Sequence, residues 1–116
     1  MPRDEATLLD ILRAARLAVA FTGDLDKPAF LHDLKTPSAT LHQLLVLGEA
    51  VKRLSEGFRT SHPAMPWRMI AGMRDQLIHA YDAVDLDEVW RTVSIDIPQL
   101  ITLLEPLEPR QEEEGN

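Results

Sequence analysis

The apolar residues of this chain repeat at helical spacing, and no segment keeps the two-residue alternation of a half-buried strand. The first apolar stripe comprises Leu8, Ile11, Leu12, Ala15 and Val19. It predicts a helix over residues 3–22 that is closed by Gly23, the residue type that most readily adopts a left-handed cap. Since no segment shows a sustained period of two, the sequence predicts an all-α protein.

The next stripe begins after a connection at residues 24–35, in which one extra turn is expected around Phe30–Asp33. Thr36 followed by Pro37 is typical of a helix start, with the threonine at the N-cap. This second helix is expected to end with Gly57 as its C′ residue. Residues 58–65 are then expected to form a loop.

Two further helices complete the predicted fold. Pro66 can start a third helix that runs to about Tyr81, and Asp85 with Glu88 resembles a capping box at the start of a fourth. Pro98 is expected to kink this last helix, because it lacks an N–H and crowds the preceding turn. The pattern predicts an up-and-down four-helix bundle, with a short fifth helix as an open alternative.

Length and charge define the domain organisation. The chain has 116 residues and a formal net charge of -7, which suits one domain. Residues 105–116 carry five acids and one arginine, so we expect a helical domain over residues 1–104 and an acidic, flexible C-terminal tail over residues 105–116. The acidic average argues against a general phosphate-backbone binder, but more than half of the excess lies in that tail.

Three features of the sequence fit a cytosolic protein. There is no cysteine for a disulfide, the charged N-terminus does not match a secretory signal, and no apolar run approaches the roughly 20 residues that span a bilayer. We therefore expect a cytoplasmic protein.

The third predicted helix carries the chemically informative residues. On a helical wheel Arg74 and Tyr81 fall in the apolar stripe, whereas Asp75 and His79 lie four residues apart on another face. A guanidinium in a stripe is costly to desolvate unless it is paired or opens onto a cleft. A helix that carries such residues on two faces is expected to be packed on both sides. In a small bundle a second copy of the chain is the simplest way to cover the second face, so we expect a homodimer.

Each of these residues also has a plain structural interpretation. Arg74 can pair with Glu49 of the neighbouring helix, His79 can be a surface histidine, and Tyr81 can lie at a rim with a wet hydroxyl. Together with Asp75, however, they combine an oxyanion clamp, an orienting group and an acid/base group, which suits phosphoryl-ester chemistry without a metal.

Other chemistries find little support in the sequence. The four histidines, at positions 32, 42, 62 and 79, lack metal-ligand spacing, and no glycines cluster as in a nucleotide-binding loop. We therefore expect neither a metal site nor a cofactor.

The stretch Arg74-Asp75-Gln76-Leu77-Ile78-His79-Ala80-Tyr81 matches the pattern R-x4-H-x-Y. It resembles the HepT-like ribonuclease toxins of the HEPN superfamily. The resemblance extends in order over roughly residues 4–104. Its other matching segments are LLDILRAARLAVAF, Leu47-Gly48-Glu49-Ala50, the loop around His62-Pro63 and Pro66-Trp67-Arg68, Gly72-Met73, and Val84-Asp85 with Val89-Trp90.

The resemblance implies a helical dimer in which two motifs line a shared cleft and cleave RNA without a metal. Arg74 would hold the scissile phosphate, His79 would move protons, and Asp75, where many such proteins have asparagine, would orient the site. The resemblance further implies a minimal nucleotidyltransferase antitoxin that transfers AMP to Tyr81 and so blocks the cleft.

Two non-catalytic alternatives stay open at this point. The chain could be a helical binding subunit of the nucleotidyltransferase complex, with the motif holding the dimer together, or it could present nucleotides to that partner. The arginines near the proposed cleft are Arg53, Arg59, Arg68 and Arg74. We expect Arg68 and Arg53 to contact substrate phosphates, with RNA bound weakly and transiently at one cleft.

Overall fold

The computed structural model describes residues 3–79 and 83–109, with the backbone alone at His79. Within these ranges the chain forms eight α-helices and one pair of two-residue strands. In chain order the elements are α1 (Arg3–Thr22), α2 (Lys27–His32), α3 (Thr36–Lys52), α4 (Glu56–Ser61), α5 (Trp67–Ala71), α6 (Met73–Leu77), β1 (Ile78–His79), β2 (Ala83–Val84), α7 (Leu86–Arg91) and α8 (Ile97–Leu104). A π-helical stretch, Thr92–Asp96, joins α7 to α8, and a 3-10 turn, Glu105–Leu107, follows α8.

The mostly helical fold confirms the predicted class, but the simple four-helix count is not reproduced. In the described ranges two long helices, α1 and α3, are accompanied by six short ones. The first prediction is confirmed at its C-terminal end: α1 spans Arg3–Thr22 within the described residues, and Gly23 closes it with a φ of 52°. The predicted stripe of α1 faces the core, with Ile11 and Leu12 fully buried.

The antiparallel pair of α1 and α3 forms the centre of the molecule. The start of α1 meets the chain just beyond the end of α3, where the Asp4 carboxylate accepts hydrogen bonds from the Ser55 backbone N–H (2.8 Å) and hydroxyl (2.6 Å). Leu44, Leu47 and Val51 of α3 are fully buried in the shared core. Helix–helix burial of this kind supplies most of the stability of helices in proteins.

The boundaries of the second predicted helix are partly wrong. Lys35, not Thr36, is the N-cap of α3, because the Lys35 carbonyl accepts from the Ala39 N–H at 3.0 Å. The Thr36 hydroxyl donates to Asp33 instead of capping the helix. The helix ends at Lys52, since Ser55 turns the chain and caps α4 by accepting from the Phe58 N–H at 3.0 Å. Gly57 therefore lies inside α4 rather than at a C′ position.

The segment before α3 contains more structure than expected. Asp26 caps α2 by accepting from the Ala29 N–H at 3.0 Å. The helix turns Phe30 inward, where it is fully buried and its ring lies 5.1 Å from that of Trp90. The predicted extra helical turn is thus confirmed, but its bounds differ, because the helix begins at Lys27 and ends at His32.

The predicted single helix from Pro66 to Tyr81 is wrong within the described residues. Gly72 interrupts it with φ -90° and ψ 10°, and the helix ends at Leu77. Ile78 then becomes extended and pairs with Val84 in an antiparallel strand pair. The strand pair satisfies backbone groups that a continuing helix would use, and the Asp85 N–H donates to the Leu77 carbonyl at 3.0 Å. Tyr81 itself lies outside the described residues.

The C-terminal part follows the predicted pattern more closely. Asp85 caps α7 by accepting from the Glu88 N–H at 3.1 Å. The disruption expected from Pro98 takes the form of the π-helical stretch directly before α8. A proline cannot donate to the carbonyl one turn earlier, which is where the helix widens.

The segment after α8 lies against α1. Arg16 forms salt bridges with Glu105 at 3.3 Å and Glu108 at 3.1 Å. The predicted domain boundary at 104/105 coincides with the end of α8, and the division into domain and tail stays a prediction, since residues 110–116 lie outside the described part.

Candidate functional site

Arg74 lies on α6 at the edge of a cleft of about 250 Å³ between α3 and the α5–α6 break. We call this the Arg74 cleft. It is lined by Leu45, Gly48, Glu49, Ala71 and Arg74. Its walls are therefore mostly apolar and carry one guanidinium and one carboxylate.

A close approach between two backbones builds this cleft. A β-carbon added at Gly48 would lie 3.1 Å from the carbonyl oxygen of Ile70, tighter than ordinary van der Waals contact. Only glycine lets α3 come this near to the end of α5 without displacing one of them. The approach brings Glu49, the next residue of α3, to the same cleft as Arg74.

The structure selects one of the two alternatives left for Arg74. Its side chain is exposed, whereas the apolar residues Ile70, Met73 and Leu77 of the same segment are buried. The break at Gly72 and the unfilled space beside Ala71 leave the guanidinium open to the cleft. Arg74 therefore avoids the desolvation cost that a filled core position would impose.

The predicted structural pairing of Arg74 with Glu49 is not formed. The Glu49 Oε2 atom instead binds the Lys52 Nζ atom at 3.1 Å, one turn further along α3. Among the residues that the structure describes, none forms an ion pair or hydrogen bond with the Arg74 guanidinium. A guanidinium left without a carboxylate keeps its planar donors available for an oxyanion.

Asp75 follows Arg74 on α6 and is also exposed. Its backbone N–H donates to the Gly72 carbonyl at 3.0 Å, and no described residue holds its carboxylate. The predicted i, i+4 pairing with His79 assumed a continuous helix, and this basis is lost because α6 ends at Leu77. The His79 backbone lies in β1 opposite Ala83, while its side chain is outside the described part, so its role stays a prediction.

The other two predicted phosphate contacts lie apart from this cleft. Arg68 is exposed on α5 and does not line the Arg74 cleft. Arg53 follows α3 and lies 3.8 Å from the Asp10 carboxylate, in a groove between α1 and α3. Within a single chain these three arginines therefore do not converge on one site.

Sequence reasoning did not select Glu49 as a residue of the functional site. Its helical setting made a structural ion pair with an arginine the simpler interpretation. The adjacent glycine was the signal that could have identified it, since Gly48 marks a close helix approach that carries its neighbour into a cleft.

In chemical terms, the cleft combines a guanidinium, from Arg74, with a carboxylate, from Glu49, beside apolar lining residues. A guanidinium can bind an oxyanion and a carboxylate can accept a proton. Within residues 3–79 and 83–109, apart from the His79 side chain, no three histidine or acidic side chains are grouped closely enough to hold a metal ion. No helix in the described ranges is both long and apolar enough to cross a membrane.

Comparison with known families gives a match over residues 11–107 to the model described as ribonuclease HepT-like. The chain belongs to the HepT-like ribonuclease family. The match to this family covers α1 from its third turn, the Arg74 cleft, the R-x4-H-x-Y motif and α8. The resemblance inferred from the motif and its flanking segments is therefore confirmed.

Curated proteins similar to this chain match over most of its length. A protein of Thermococcus cleftensis named probable ribonuclease HepT is 45% identical over 93 residues, which are 80% of this chain and 84% of the relative. A Methanocaldococcus jannaschii protein whose name marks it as a candidate RNase is 38% identical over 109 residues, 92% of this chain and 90% of the relative. Comparison with solved structures gives no significant match.

Proposed function

We propose that this chain is the toxin of a toxin–antitoxin pair, a homodimeric, metal-independent endoribonuclease that acts in the cytoplasm. The observation that carries the proposal is an arginine without a described partner, Arg74, placed in a cleft and standing first in the R-x4-H-x-Y motif of a HepT-like chain. The names of the relatives, which include ribonuclease HepT, support the same activity.

In the proposed reaction Arg74 binds the scissile phosphate through two N–H donors and stabilises the charge that develops on it. His79 moves a proton at the ester, and Asp75 orients the reacting groups from the same helix as Arg74. The 2′-hydroxyl of the RNA is the nucleophile, which explains why no water-activating metal is needed.

A second protomer completes the proposed site. Arg74 and Arg68 lie on exposed faces of consecutive short helices, so a two-fold axis nearby would double the positive charge around the cleft. An apolar groove between α5 and α8 supports this arrangement, since Met69 and Leu103 line it with 40% and 48% of their surface exposed. Exposed apolar grooves of this kind are typical of protein interfaces.

The proposed partner is a minimal nucleotidyltransferase that transfers AMP to Tyr81. Tyr81 is seven residues from Arg74 in the motif. Each adenylate added there would bring a phosphate near the guanidinium and compete with RNA. Neutralisation would then be electrostatic and would not require the toxin to unfold.

The deciding experiment compares wild type with Arg74→Ala and His79→Ala on labelled single-stranded RNA in the presence of EDTA. We expect wild type to cleave and each variant to lose about 100-fold or more in kcat. Arg13→Ala is the matched control, because Arg13 is an exposed arginine in the α1–α3 groove, apart from the Arg74 cleft.

Expression in cells gives an independent readout of the same proposal. Wild type should stop growth, and both motif variants should be harmless while still forming dimers. A wild type that neither cleaves RNA nor slows growth would overturn the nuclease proposal in favour of the helical binding subunit.

A further inference from the structure

Glu49 occupies an unusual place for an acidic residue. It lines the Arg74 cleft, whose guanidinium is the proposed phosphate binder, yet it is not bound to that guanidinium. A carboxylate beside a phosphate site opposes the binding of an anion, since like charges repel. The presence of Glu49 in the cleft therefore needs an explanation other than binding of the phosphate.

The contacts of Glu49 leave it available for another role. Its side chain is 62% exposed, and its one described ion pair, with Lys52, is equally open to solvent. Exposed pairs of this kind contribute little and exchange readily with water. The carboxylate is thus free to accept a hydrogen bond from a ligand in the cleft.

The position of Glu49 is also held by the fold rather than by its own side-chain contacts. Gly48 is pressed against the Ile70 carbonyl, which sets the distance between α3 and the segment that carries Arg74. The backbone of residue 49 is therefore placed relative to Arg74 by packed helices, which position a group better than a loop does.

We infer that Glu49 is the general base of the RNA cleavage reaction, a catalytic residue that contacts the 2′-hydroxyl of the nucleotide whose phosphate Arg74 holds. This inference rests on the function proposed above and adds a second proton-transfer group to it. His79 then serves as the general acid alone, so that the base and the acid are two separate residues.

The proton and bond changes balance within this pair. The 2′-hydroxyl proton moves to the Glu49 carboxylate as the 2′-oxygen attacks phosphorus. The bond from phosphorus to the 5′-oxygen breaks, and that oxygen takes a proton from protonated His79. The products are a 2′,3′-cyclic phosphate and a 5′-hydroxyl end, and a later proton exchange with water restores both side chains.

The test compares Glu49→Gln with wild type on a labelled single-stranded RNA of mixed sequence. We expect kcat to fall about 100-fold or more, because the amide cannot accept the proton. We expect KM to stay the same or fall, because a negative charge has been removed from beside the phosphate. The acidic limb of the pH profile of kcat/KM should also disappear.

Two control variants separate catalysis from structure. Lys52→Met removes the ion pair of Glu49 and should leave cleavage near the wild-type rate. Glu56→Gln changes an exposed glutamate in the first turn of α4 and should change neither rate nor pH profile. Far-ultraviolet circular dichroism of each variant checks that the fold is kept.

The outcomes are distinguishable. If Glu49→Gln keeps the wild-type kcat, or if it loses activity but keeps the acidic limb, the inference is overturned while the proposed nuclease function stands. If Lys52→Met loses as much activity as Glu49→Gln, the glutamate acts through its ion pair and the inference is again wrong. If wild type cleaves no RNA, the proposed function fails and this inference fails with it.

Discussion

Gly48 on α3 lies against the carbonyl oxygen of Ile70 on α5, so closely that an added β-carbon would be 3.1 Å from that oxygen. This contact sets the width of the Arg74 cleft, and it links the stability of the helix pair to the geometry of the site. Substitution of Gly48 therefore tests whether this contact determines the geometry of the cleft.

Gly48→Val should destabilise the protein by about 1–3 kcal/mol, because the larger side chain forces α3 and α5 apart. Gly48→Ala should have a smaller effect, since the higher helix propensity of alanine, worth about 1 kcal/mol, opposes the strain. Urea unfolding monitored by circular dichroism measures both. Gly57→Ala is the matched control, because a β-carbon there meets nothing closer than 4.0 Å, and a Gly48→Val variant as stable as this control would contradict the prediction.

Asp4 should make the stability of the α1–α3 contact depend on pH. Hydrogen bonds from the Ser55 hydroxyl and then from its backbone N–H hold the pKa of Asp4 below the ordinary value of 3.8. The carboxylate therefore contributes its stability fully above about pH 3.8, and this contribution is lost as the pH falls through the lower pKa of the folded state. Asp4→Asn should be less stable than wild type at neutral pH, and the difference should shrink in acid, as pH-dependent thermal unfolding would report. A constant difference at all pH values would contradict this assignment.

Phe30 should be the most sensitive position of the connection between α1 and α3. It is fully buried and packs against Trp90, so Phe30→Ala should cost about 3–5 kcal/mol in unfolding free energy. Leu34→Ala, in the same connection, should change stability by less than about 0.5 kcal/mol, because Leu34 is 90% exposed. Chemical denaturation of both variants checks the contrast, and equal losses would show that α2 does not anchor the connection.

Tyr81 should gain mass in steps of one adenylate when the chain is co-expressed with a cognate minimal nucleotidyltransferase. The expected reason is transfer of AMP to the phenolic oxygen, and intact-protein mass spectrometry measures it. Tyr81→Phe is the control, since it lacks only that oxygen. The same mass gain on Tyr81→Phe would refute the assignment of the modification to this residue.

Local signals in the sequence predicted much of the helical framework. The stripe of α1 and the left-handed glycine at its end depend on residues within a few positions of one another. The Asp85 cap depends on the residue three places on. Such short-range chemistry is readable without knowing what packs where. The R-x4-H-x-Y pattern was readable for the same reason, and with its flanking segments it identified the family.

Short-range sequence signals did not predict the breaks between helices. The third predicted helix had a continuous apolar stripe, yet it is interrupted at Gly72 and ends at Leu77, because pairing of Ile78 with Val84 competes for the backbone. After Leu77 the chain can either continue as a helix or form a strand pair between residues six positions apart. Tertiary packing decides which of these two local structures forms.

By itself, the sequence determined the helical class, the motif, the glycine that closes α1 and the Asp85 cap, because periodicity and capping chemistry act over one or two turns. Only the tertiary structure decided that Arg74 opens onto a cleft, that Glu49 shares it, and that Arg53 lies elsewhere beside Asp10. The physical reason is the close approach of Gly48 to Ile70. A contact between residues 22 positions apart places side chains that no local periodicity relates.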